Sequence, residues 1–283
     1  MDIFLSLIDA ASYILILVLI ALGLMIVFGM MGVINMAHGE LFMIGAYVMV
    51  VCQSVGLPFF VGLIAAPLVV GLLGLVIETL LIRHIYLRPL DTILATWGLS
   101  IALKQAIVLI FGPESQSIAS PINETLTIGE FSYPAYRLLV MLASLLLIGG
   151  TFWVFLKTDF GLKARAVISR PDTAATLGIN TRYLYRWSFI IGTALAGLAG
   201  ALIAPTISVD PQMGLGYLIP GFLSILVGGA GPLAGVLVGG AAVGGTNSLL
   251  TVWISPVAAQ IAVFLLAILV IRLRPEGILG GKK

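Results

Sequence analysis

The chain has 283 residues, of which 60% are hydrophobic and only 9% are charged, against roughly 25% charged residues in a typical soluble domain. Its 14 Lys and Arg and 12 Asp and Glu leave a formal net charge of +2. So few charges cannot cover the surface of a water-soluble protein of this length. The composition also excludes a disordered chain, a disulfide scaffold and a nucleic-acid binder, because it shows no long polar tract, a single cysteine (Cys52) and no dominant basic patch.

Apolar runs of about twenty residues recur along the chain, and this is the length that crosses ~30 Å of hydrocarbon as an α-helix. We predict an all-α, polytopic transmembrane bundle of about nine spans (range ~8–10), with broken or re-entrant helices, as one domain over residues 1–283. The first run lacks the features of a cleaved secretory signal and is kept as a mature helix. The predicted spans are residues 5–28, 41–55, 59–82, 93–111, 138–156, 187–204, 219–227, 233–252 and 257–271.

The positions of Lys and Arg predict the orientation, because basic residues concentrate in cytoplasmic loops. The segment 157–186 holds six of them, the C-terminal tail four and the loop 83–89 two, whereas the longer loop 112–136 has three glutamates and neither Lys nor Arg. We therefore expect the basic segments and the C-terminus in the cytoplasm, and the N-terminus outside. The crossings between the two cytoplasmic anchors must be even in number. This requires the short run 219–227 to be a crossing, or a longer run to be re-entrant.

The first polar interruption is Gly32-Val-Ile-Asn-Met-Ala-His-Gly-Glu40, which contains Asn35, His38 and Glu40 between two apolar runs. Non-helical backbone at membrane depth is tolerated where protein or a water-filled cavity satisfies it, and ionisable groups there usually face such a cavity. One interpretation is a broken helix that lines a solute path and presents its half-helix dipole to a polar solute. The alternative is a tight cytoplasmic turn in which Asn35 or His38 caps the next helix.

The second interruption is Ser208-Val-Asp-Pro-Gln-Met-Gly-Leu-Gly-Tyr217, followed by Pro220. Its prolines and glycines predict that no continuous helix passes through it. Asp210 and Gln212 either face a solute or lie in an external loop, and the sequence leaves both open.

Glycine patterns predict close packing elsewhere in the chain. The stretch Gly228-Gly-Ala-Gly-Pro-Leu-Ala-Gly235 carries no side-chain chemistry, so we expect close helix–helix or helix–loop contact there rather than a phosphate cradle. A helix, a glycine-flanked break and a further helix occur at 22–48 and again at 195–238, which is a faint internal repeat. Small residues at four-residue spacing predict tight helix packing at Gly192, Ala196, Gly200, Gly231, Gly235 and Gly239.

The loop 157–187 is too long for a simple connection. Its core, Gly161-Leu-Lys-Ala-Arg-Ala-Val-Ile-Ser-Arg170, predicts a short basic amphipathic helix, and Asp172 is predicted to cap a second helix that ends at Gly178. Two such helices at the membrane surface favour docking onto a cytoplasmic partner. The alternative is positive charge resting on anionic lipid.

The motif Gly32 to Glu40, followed by Gly45-Ala-Tyr47, resembles the signature of the membrane permeases of branched-chain amino-acid ABC importers. Similar matches occur from Gly161 to Ala166, from Asp172 to Gly178-Ile-Asn180, in Ala196-Gly-Leu-Ala-Gly-Ala201 and at Arg274-Pro-Glu-Gly277, so the resemblance covers nearly the whole chain. It implies a permease of the bacterial plasma (inner) membrane that works by alternating access. It also implies a second related permease, two cytoplasmic ATPases that bind ATP and Mg, and an extracytoplasmic solute-binding protein. The chain itself is expected to hold no cofactor and no metal.

Two sets of residues follow from this resemblance and from the polar interruptions. We expect the substrate path to pass Asn35, His38, Glu40, Thr96, Asp210 and Gln212. The resemblance implies a coupling helix, seated in a groove of an ATPase, that uses Gly161, Arg165, Ala166, Asp172, Ala175 and Gly178.

Three alternatives to amino-acid import stay open. Leu90-Asp-Thr-Ile-Leu-Ala-Thr-Trp-Gly-Leu-Ser100 looks like the permease of urea and short-chain-amide importers, although many of those have a long N-terminal extension. A stand-alone channel or secondary transporter would need its own coupling carboxylates, for which Glu40, Glu78 and Asp210 are candidates. An enzyme is disfavoured, because no nucleophile or metal site accompanies His38 and Glu40. No nucleotide-binding loop is present either, so any ATP hydrolysis belongs to other chains.

Overall fold

The computed structural model describes residues 2–86, 88–128 and 131–280. Three charged residues that contributed to the predicted orientation, Glu130, Lys282 and Lys283, lie outside these ranges. Within them the chain forms nine long helices and two short ones. These are α1 (Asp2–Met31), α2 (His38–Ser54), α3 (Phe59–Leu80), α4 (Pro89–Phe111), α5 (Ala135–Lys157), α6 (Asp159–Ser169), α7 (Pro171–Thr176), α8 (Thr181–Ile203), α9 (Met213–Gly228), α10 (Leu233–Leu250) and α11 (Pro256–Leu273).

The nine long helices confirm the predicted polytopic helical bundle. In the part of the chain that the structure describes, seven of them are long and apolar enough to cross a membrane. The other two, α2 and α9, have only 17 and 16 residues. They are the helices that follow the first two polar interruptions.

A small antiparallel hairpin is an addition to the predicted all-α class. Its strands are β1 (Thr125–Ile128) and β2 (Phe131–Pro134), with Leu126 opposite Tyr133. We call the end of the bundle that carries this hairpin the hairpin end, and the opposite end, which carries α6 and α7, the α6–α7 end.

Helix α9 begins earlier than the sequence predicts. The expected crossing at 219–227 is only part of it, because Gly214, Gly216 and Pro220 all lie inside the helix. Residues 207–212 are not helical, so the prediction that no continuous helix passes through Ser208–Tyr217 is confirmed, although this interruption ends before Gly214. Much of α9 is buried among other helices, and this tertiary packing outweighs the helix-breaking tendency of one proline and two glycines.

Two reciprocal glycine contacts relate the two halves of the bundle. Helices α1 and α8 cross at Gly23 and Gly192, where a Cβ on either residue would lie 2.5 Å from the carbonyl oxygen of the other. The first turns of α2 and α9 meet in the same way at Gly39 and Gly214, where an added Cβ on one would overlap the backbone of the other.

The outer helices follow the same pairing. Helix α3 packs on α8, where Gly74 approaches Thr193, and α10 packs on α1, where Gly240 approaches Val18. Helix α1 runs from the hairpin end to the α6–α7 end, while α8 runs in the opposite direction. Helices α1–α4 and α8–α11 therefore form an inverted repeat, with α5 between them. This is the structural counterpart of the repeat predicted at 22–48 and 195–238.

Candidate solute path and coupling surface

Helix α2 begins in the middle of the bundle. Helix α1 ends at Met31, and Gly32 then adopts a φ of 63°, a left-handed conformation that favours glycine. The chain returns along α1, so that Nε2 of His38 lies 3.3 Å from the carbonyl oxygen of Ile20. Asn35 and His38 are both buried here. The first interruption is thus a buried break at mid-bundle, and not a turn at the surface.

The side chain of Asn35 shapes this break. Its Oδ1 accepts a hydrogen bond from the backbone N–H of Ala37 at 3.1 Å. The N-cap residue of α2 is Ala37, and no side chain caps the helix. The alternative in which Asn35 or His38 caps α2 is therefore wrong. Nδ2 of Asn35 and Nδ1 of His38 are buried with no hydrogen-bond partner among the described residues.

Glu40 lies where the first turns of α2 and α9 meet. Its Oε1 accepts a hydrogen bond from the hydroxyl of Ser100 at 2.9 Å. Its Oε2 is buried without a hydrogen-bond partner among the described residues and faces the first turn of α9, 2.9 Å from the position of an added Cβ on Gly214. A carboxylate at the N-terminus of a helix is favoured by the helix dipole.

Helix α4 presents a polar stripe to this region, made of Thr92, Thr96, Ser100 and Lys104 at four-residue spacing. The hydroxyl of Thr96 donates to the carbonyl oxygen of Thr92 at 2.7 Å and accepts from the backbone N–H of Met36 at 3.1 Å. Thr96 thus ties α4 to the break. Only Thr96 is singled out by the sequence analysis, although the i, i+4 spacing is a signal that identifies the other three.

Asp210 and Gln212 lie apart from Asn35 and His38, in the segment before α9. Oδ1 of Asp210 accepts a hydrogen bond from the backbone N–H of Gln212 at 2.7 Å, which forms a local turn. Asp210 is half-buried and Gln212 is exposed. The neighbouring Val209 pairs with Gln116 through two backbone hydrogen bonds, so this segment is attached to the hairpin end.

Glu78, one of the candidate coupling carboxylates, is engaged by neighbouring side chains. Its Oε1 accepts from the hydroxyl of Tyr86 at 2.5 Å, and its Oε2 lies 3.2 Å from Nε of Arg186. Burial and the hydrogen bond to Glu78 raise the pKa of Tyr86. This cluster ties α3 to α8 near the α6–α7 end.

Helix α6 is held tightly against the end of α5. Thr158 caps α6 by accepting a hydrogen bond from the backbone N–H of Gly161, and a Cβ on Gly161 would overlap the backbone of Phe155. Nη1 of Arg165 donates to the carbonyl oxygens of Phe155 and Leu156, at 2.9 and 3.3 Å. Gly161 and Arg165 therefore both position α6 on α5.

Helix α7 differs from the sequence prediction at its start. Arg170 is the N-cap residue, and Pro171 and Asp172 lie in the first turn with no side-chain cap. The prediction that Asp172 caps this helix is wrong, because the helix begins at Pro171, two residues before the predicted start at Thr173. Beyond α7, Gly178 has a φ of 83°, which suits a glycine.

The outer surface of α6 and α7 is open and partly apolar. Ala166, Asp172, Ala175 and Gly178 are exposed. Leu162 and Leu177 are 61% and 77% exposed, and Ile168 is also exposed. We call the exposed residues of α6, α7 and the following Leu177 and Gly178 the coupling surface.

The glycine-rich stretch Gly228–Gly235 packs as the sequence predicts. A Cβ on Gly228 would overlap the carbonyl oxygen of Gly235, and one on Gly239 would overlap that of Ser224. Gly231 differs, because an added Cβ there would have no neighbour within 4 Å. The predicted close contact is confirmed, with Gly231 as the exception.

Together these features define an integral-membrane permease, with the first turns of α2 and α9 meeting at its centre and an exposed helical surface at one end. A family model described as branched-chain amino acid transport system, permease component, matches residues 6–273. The chain therefore belongs to this family of transport permeases, and it is a transport subunit rather than an enzyme. Membership in a family of ABC-importer permeases implies ATPase and solute-binding partners in general.

Curated relatives cover most of the chain. The permease LivH of a high-affinity branched-chain amino acid transport system in Salmonella typhimurium is 29% identical over 93% of this chain and 90% of its own. BraD of Pseudomonas aeruginosa, also from such a system, is 29% identical over 93% and 91%. A probable LivH of Methanocaldococcus jannaschii is 28% identical over 96% and 90%. No solved structure matches the chain.

Proposed function

We propose that this chain is one of two related permeases in an ATP-driven importer of branched-chain or other hydrophobic amino acids. The names of LivH and BraD support this substrate class and do not favour urea. One of the two ATPases binds the coupling surface of this chain, and an extracytoplasmic solute-binding protein delivers the amino acid at the hairpin end. The hairpin end and the N-terminus lie outside, and the α6–α7 end and the C-terminus lie in the cytoplasm.

The contact between α2 and α9 carries the proposed mechanism. The backbones of their first turns meet at Gly39 and Gly214, at the centre of an inverted repeat. From this contact α2 leads to the hairpin end, and α9 leads to the α6–α7 end. When α2 and α9 move past each other, the centre of the bundle opens to the hairpin end or to the α6–α7 end, but not to both at once. This is alternating access.

The unpartnered polar atoms near this contact support a solute path there. Nδ2 of Asn35, Nδ1 of His38 and Oε2 of Glu40 are buried without partners among the described residues. A buried polar group without a hydrogen bond costs about 1–3 kcal/mol. Separation of α2 and α9 exposes these atoms to the solute or to water, so the cost falls in the open state.

Reconstitution tests the proposal. Liposomes containing this chain, its partner permease and both ATPases are supplied with the binding protein and either labelled leucine or labelled urea. We expect ATP-dependent leucine uptake and no urea uptake, with a non-hydrolysable ATP analogue as the control.

Two results contradict the proposal. Leucine uptake by this chain alone contradicts an ATP-driven importer and favours a channel or secondary transporter. Urea uptake without leucine uptake contradicts the substrate class.

A further inference from the structure

A cavity of about 330 Å³ opens at the hairpin end of the bundle, between α1, α5, α9 and α10. Its size lies at the lower end of the range for ligand pockets, about 300–1,000 Å³, which suits a small solute. Apolar side chains form part of its wall: Ile16, Val140, Ile203 and Ile207. The ring of Tyr217 also lines the cavity and lies 4.7 Å from the ring of Phe42 on α2. The cavity therefore reaches from the hairpin end to α9, close to where α9 contacts α2.

A pair of opposite charges lines this cavity. Nη1 of Arg137 on α5 lies 2.5 Å from Oδ1 of Asp9 on α1. The hydroxyl of Tyr133 donates to the same Oδ1 at 2.9 Å. Arg137 also interacts with the hydroxyl of Tyr133, and both charged side chains are partly exposed. The pair thus presents a carboxylate and a guanidinium side by side at the cavity.

The distribution of charge sets Arg137 apart. Twelve of the 14 Lys and Arg lie in the three basic segments that predict the cytoplasmic side, and Arg137 is one of the two that do not. The positive-inside preference therefore does not explain it. The wall also carries polar residues, among them Ser12, Asn247 and Thr251. A carboxylate and a guanidinium beside a partly apolar wall complement the three parts of a free amino acid: its α-ammonium, its α-carboxylate and an apolar side chain.

We propose that this cavity is an entry site for amino-acid zwitterions. Asp9 binds the α-ammonium, Arg137 binds the α-carboxylate, and the branched side chain packs on the isoleucines. The inference rests on the proposed function and adds to it that the permease itself recognises the charged ends of its solute. The permease then selects for amino acids a second time, after the binding protein has released the solute.

Cysteine labelling tests this site directly. Ser248 lines the cavity, and Ser54 lies at the hairpin end outside the cavity lining. In a Cys52→Ser background, S248C and the control S54C are each labelled with a hydrophilic maleimide in the full assembly in nanodiscs. The additions are free leucine, 4-methylpentanoate, which lacks the ammonium, and 3-methylbutylamine, which lacks the carboxylate.

We expect leucine to slow the labelling of S248C about fivefold or more, as for a site mostly occupied at millimolar ligand. The two single-charge compounds leave the rate unchanged, and S54C labels at the same rate throughout. If leucine leaves the labelling rate of S248C unchanged, the inference is overturned. Equal protection by the single-charge compounds also overturns it.

A charge exchange separates solute recognition from a purely structural ion pair. The double variant D9R with R137D keeps an ion pair between α1 and α5 but reverses its direction. We expect leucine uptake to stay about tenfold or more below wild type, the cost of one lost charge-assisted contact, while ATP hydrolysis stimulated by the binding protein is retained. Recovery of uptake to the wild-type rate assigns the pair a structural role and overturns the inference.

The proposed function fails separately. Its failure is an absence of leucine uptake by the wild-type assembly. Normal wild-type uptake without protection of S248C contradicts only the entry site.

Discussion

At the scale of single residues, the centre of this permease depends on the absence of side chains. Gly39 and Gly214 bring two helix N-termini into backbone contact, and Glu40 faces the same place with a free carboxylate oxygen. A buried carboxylate oxygen without a hydrogen-bond partner costs stability. This cost supports the proposed functional role of Glu40.

Substitution of Gly39 tests the backbone contact. In G39A the new Cβ overlaps the carbonyl group of Gly214, and backbone cannot shift as easily as a flexible side chain. We expect the free energy of unfolding to fall by about 1–3 kcal/mol and leucine uptake to be lost. Thermal unfolding in detergent measures the first effect.

The matched control for G39A is G216A, in α9, where an added Cβ has no neighbour within 4 Å. It replaces a helical glycine by alanine and is expected to change stability by no more than about 1 kcal/mol, in the favourable direction. Equal melting temperatures for the two variants contradict the close contact.

The Glu78 cluster gives a second prediction at this scale. The side chain of Glu78 is 3% exposed, and that of Arg186 is 44% exposed. R186A leaves a buried carboxylate without its cation, so we expect a loss of about 1–3 kcal/mol, less than for a fully buried pair because Arg186 is partly in solvent. The double variant E78Q with R186A recovers part of this loss, since no unpaired charge is left. R182A, one turn away, is the control, and a double variant no more stable than R186A contradicts the assignment.

Residue contacts were predictable only where they are local in sequence. The four-residue spacing of the polar stripe on α4 is visible in the sequence. The glycine-rich motifs predicted close packing. The Asp9–Arg137 pair joins residues 128 positions apart, and no local pattern carries such information. The inward direction of Arg165 was also hidden, because a basic residue on an amphipathic helix looks the same whether it faces a partner or its own chain.

At the scale of helices, hydropathy predicted the seven long spans because length and apolarity together identify them. It placed the start of α9 six residues late, since Gly214, Gly216 and Pro220 argued against a helix that tertiary packing nevertheless supports. The hairpin of β1 and β2 was not predicted, because its strands have only four residues each and give a weak sequence pattern. The failures of prediction thus fall on short elements, whose conformation depends on their neighbours.

The coupling surface gives a prediction at this scale. Leu177 is 77% exposed, and burial of a leucine against a partner contributes about 1.5–3 kcal/mol. We expect L177D to weaken binding of the ATPases about tenfold or more and to abolish ATP-dependent uptake without unfolding the permease. Co-purification of the ATPases measures this.

The conservative variant L177M keeps the apolar contact and is expected to retain uptake. If L177D retains the ATPases and transports at the wild-type rate, Leu177 lies outside the interface.

At the scale of the whole molecule, the inverted repeat gives α1 and α8 opposite directions, and the basic segments predict which end of the bundle faces the cytoplasm. Helix α5 connects the repeats, so that α1 and α8 run in opposite directions. The sequence predicted this arrangement only faintly, because the two halves share little residue identity. Their similarity is one of backbone path and glycine contact.

Labelling of single cysteines in intact cells tests the orientation. In a Cys52→Ser background, S115C lies at the hairpin end and S169C at the α6–α7 end, and both positions are exposed. We expect a membrane-impermeant maleimide to label S115C in intact cells and S169C only after permeabilisation. The reverse pattern contradicts the proposed orientation.

The C-terminal tail is attached to the last turn of helix α9. The backbone N–H groups of Ile278 and Leu279 are bonded to the carbonyl oxygens of Val227 and Gly228 in the last turn of α9. The 16 residues of this helix span about 24 Å, and its other end touches Gly39 at the centre. In the proposed mechanism α9 moves against α2, so we expect a displacement of the tail to reach the proposed solute path. We then expect a fluorophore attached to the tail to report on the transport cycle, and a bulky purification tag at the same place to slow uptake.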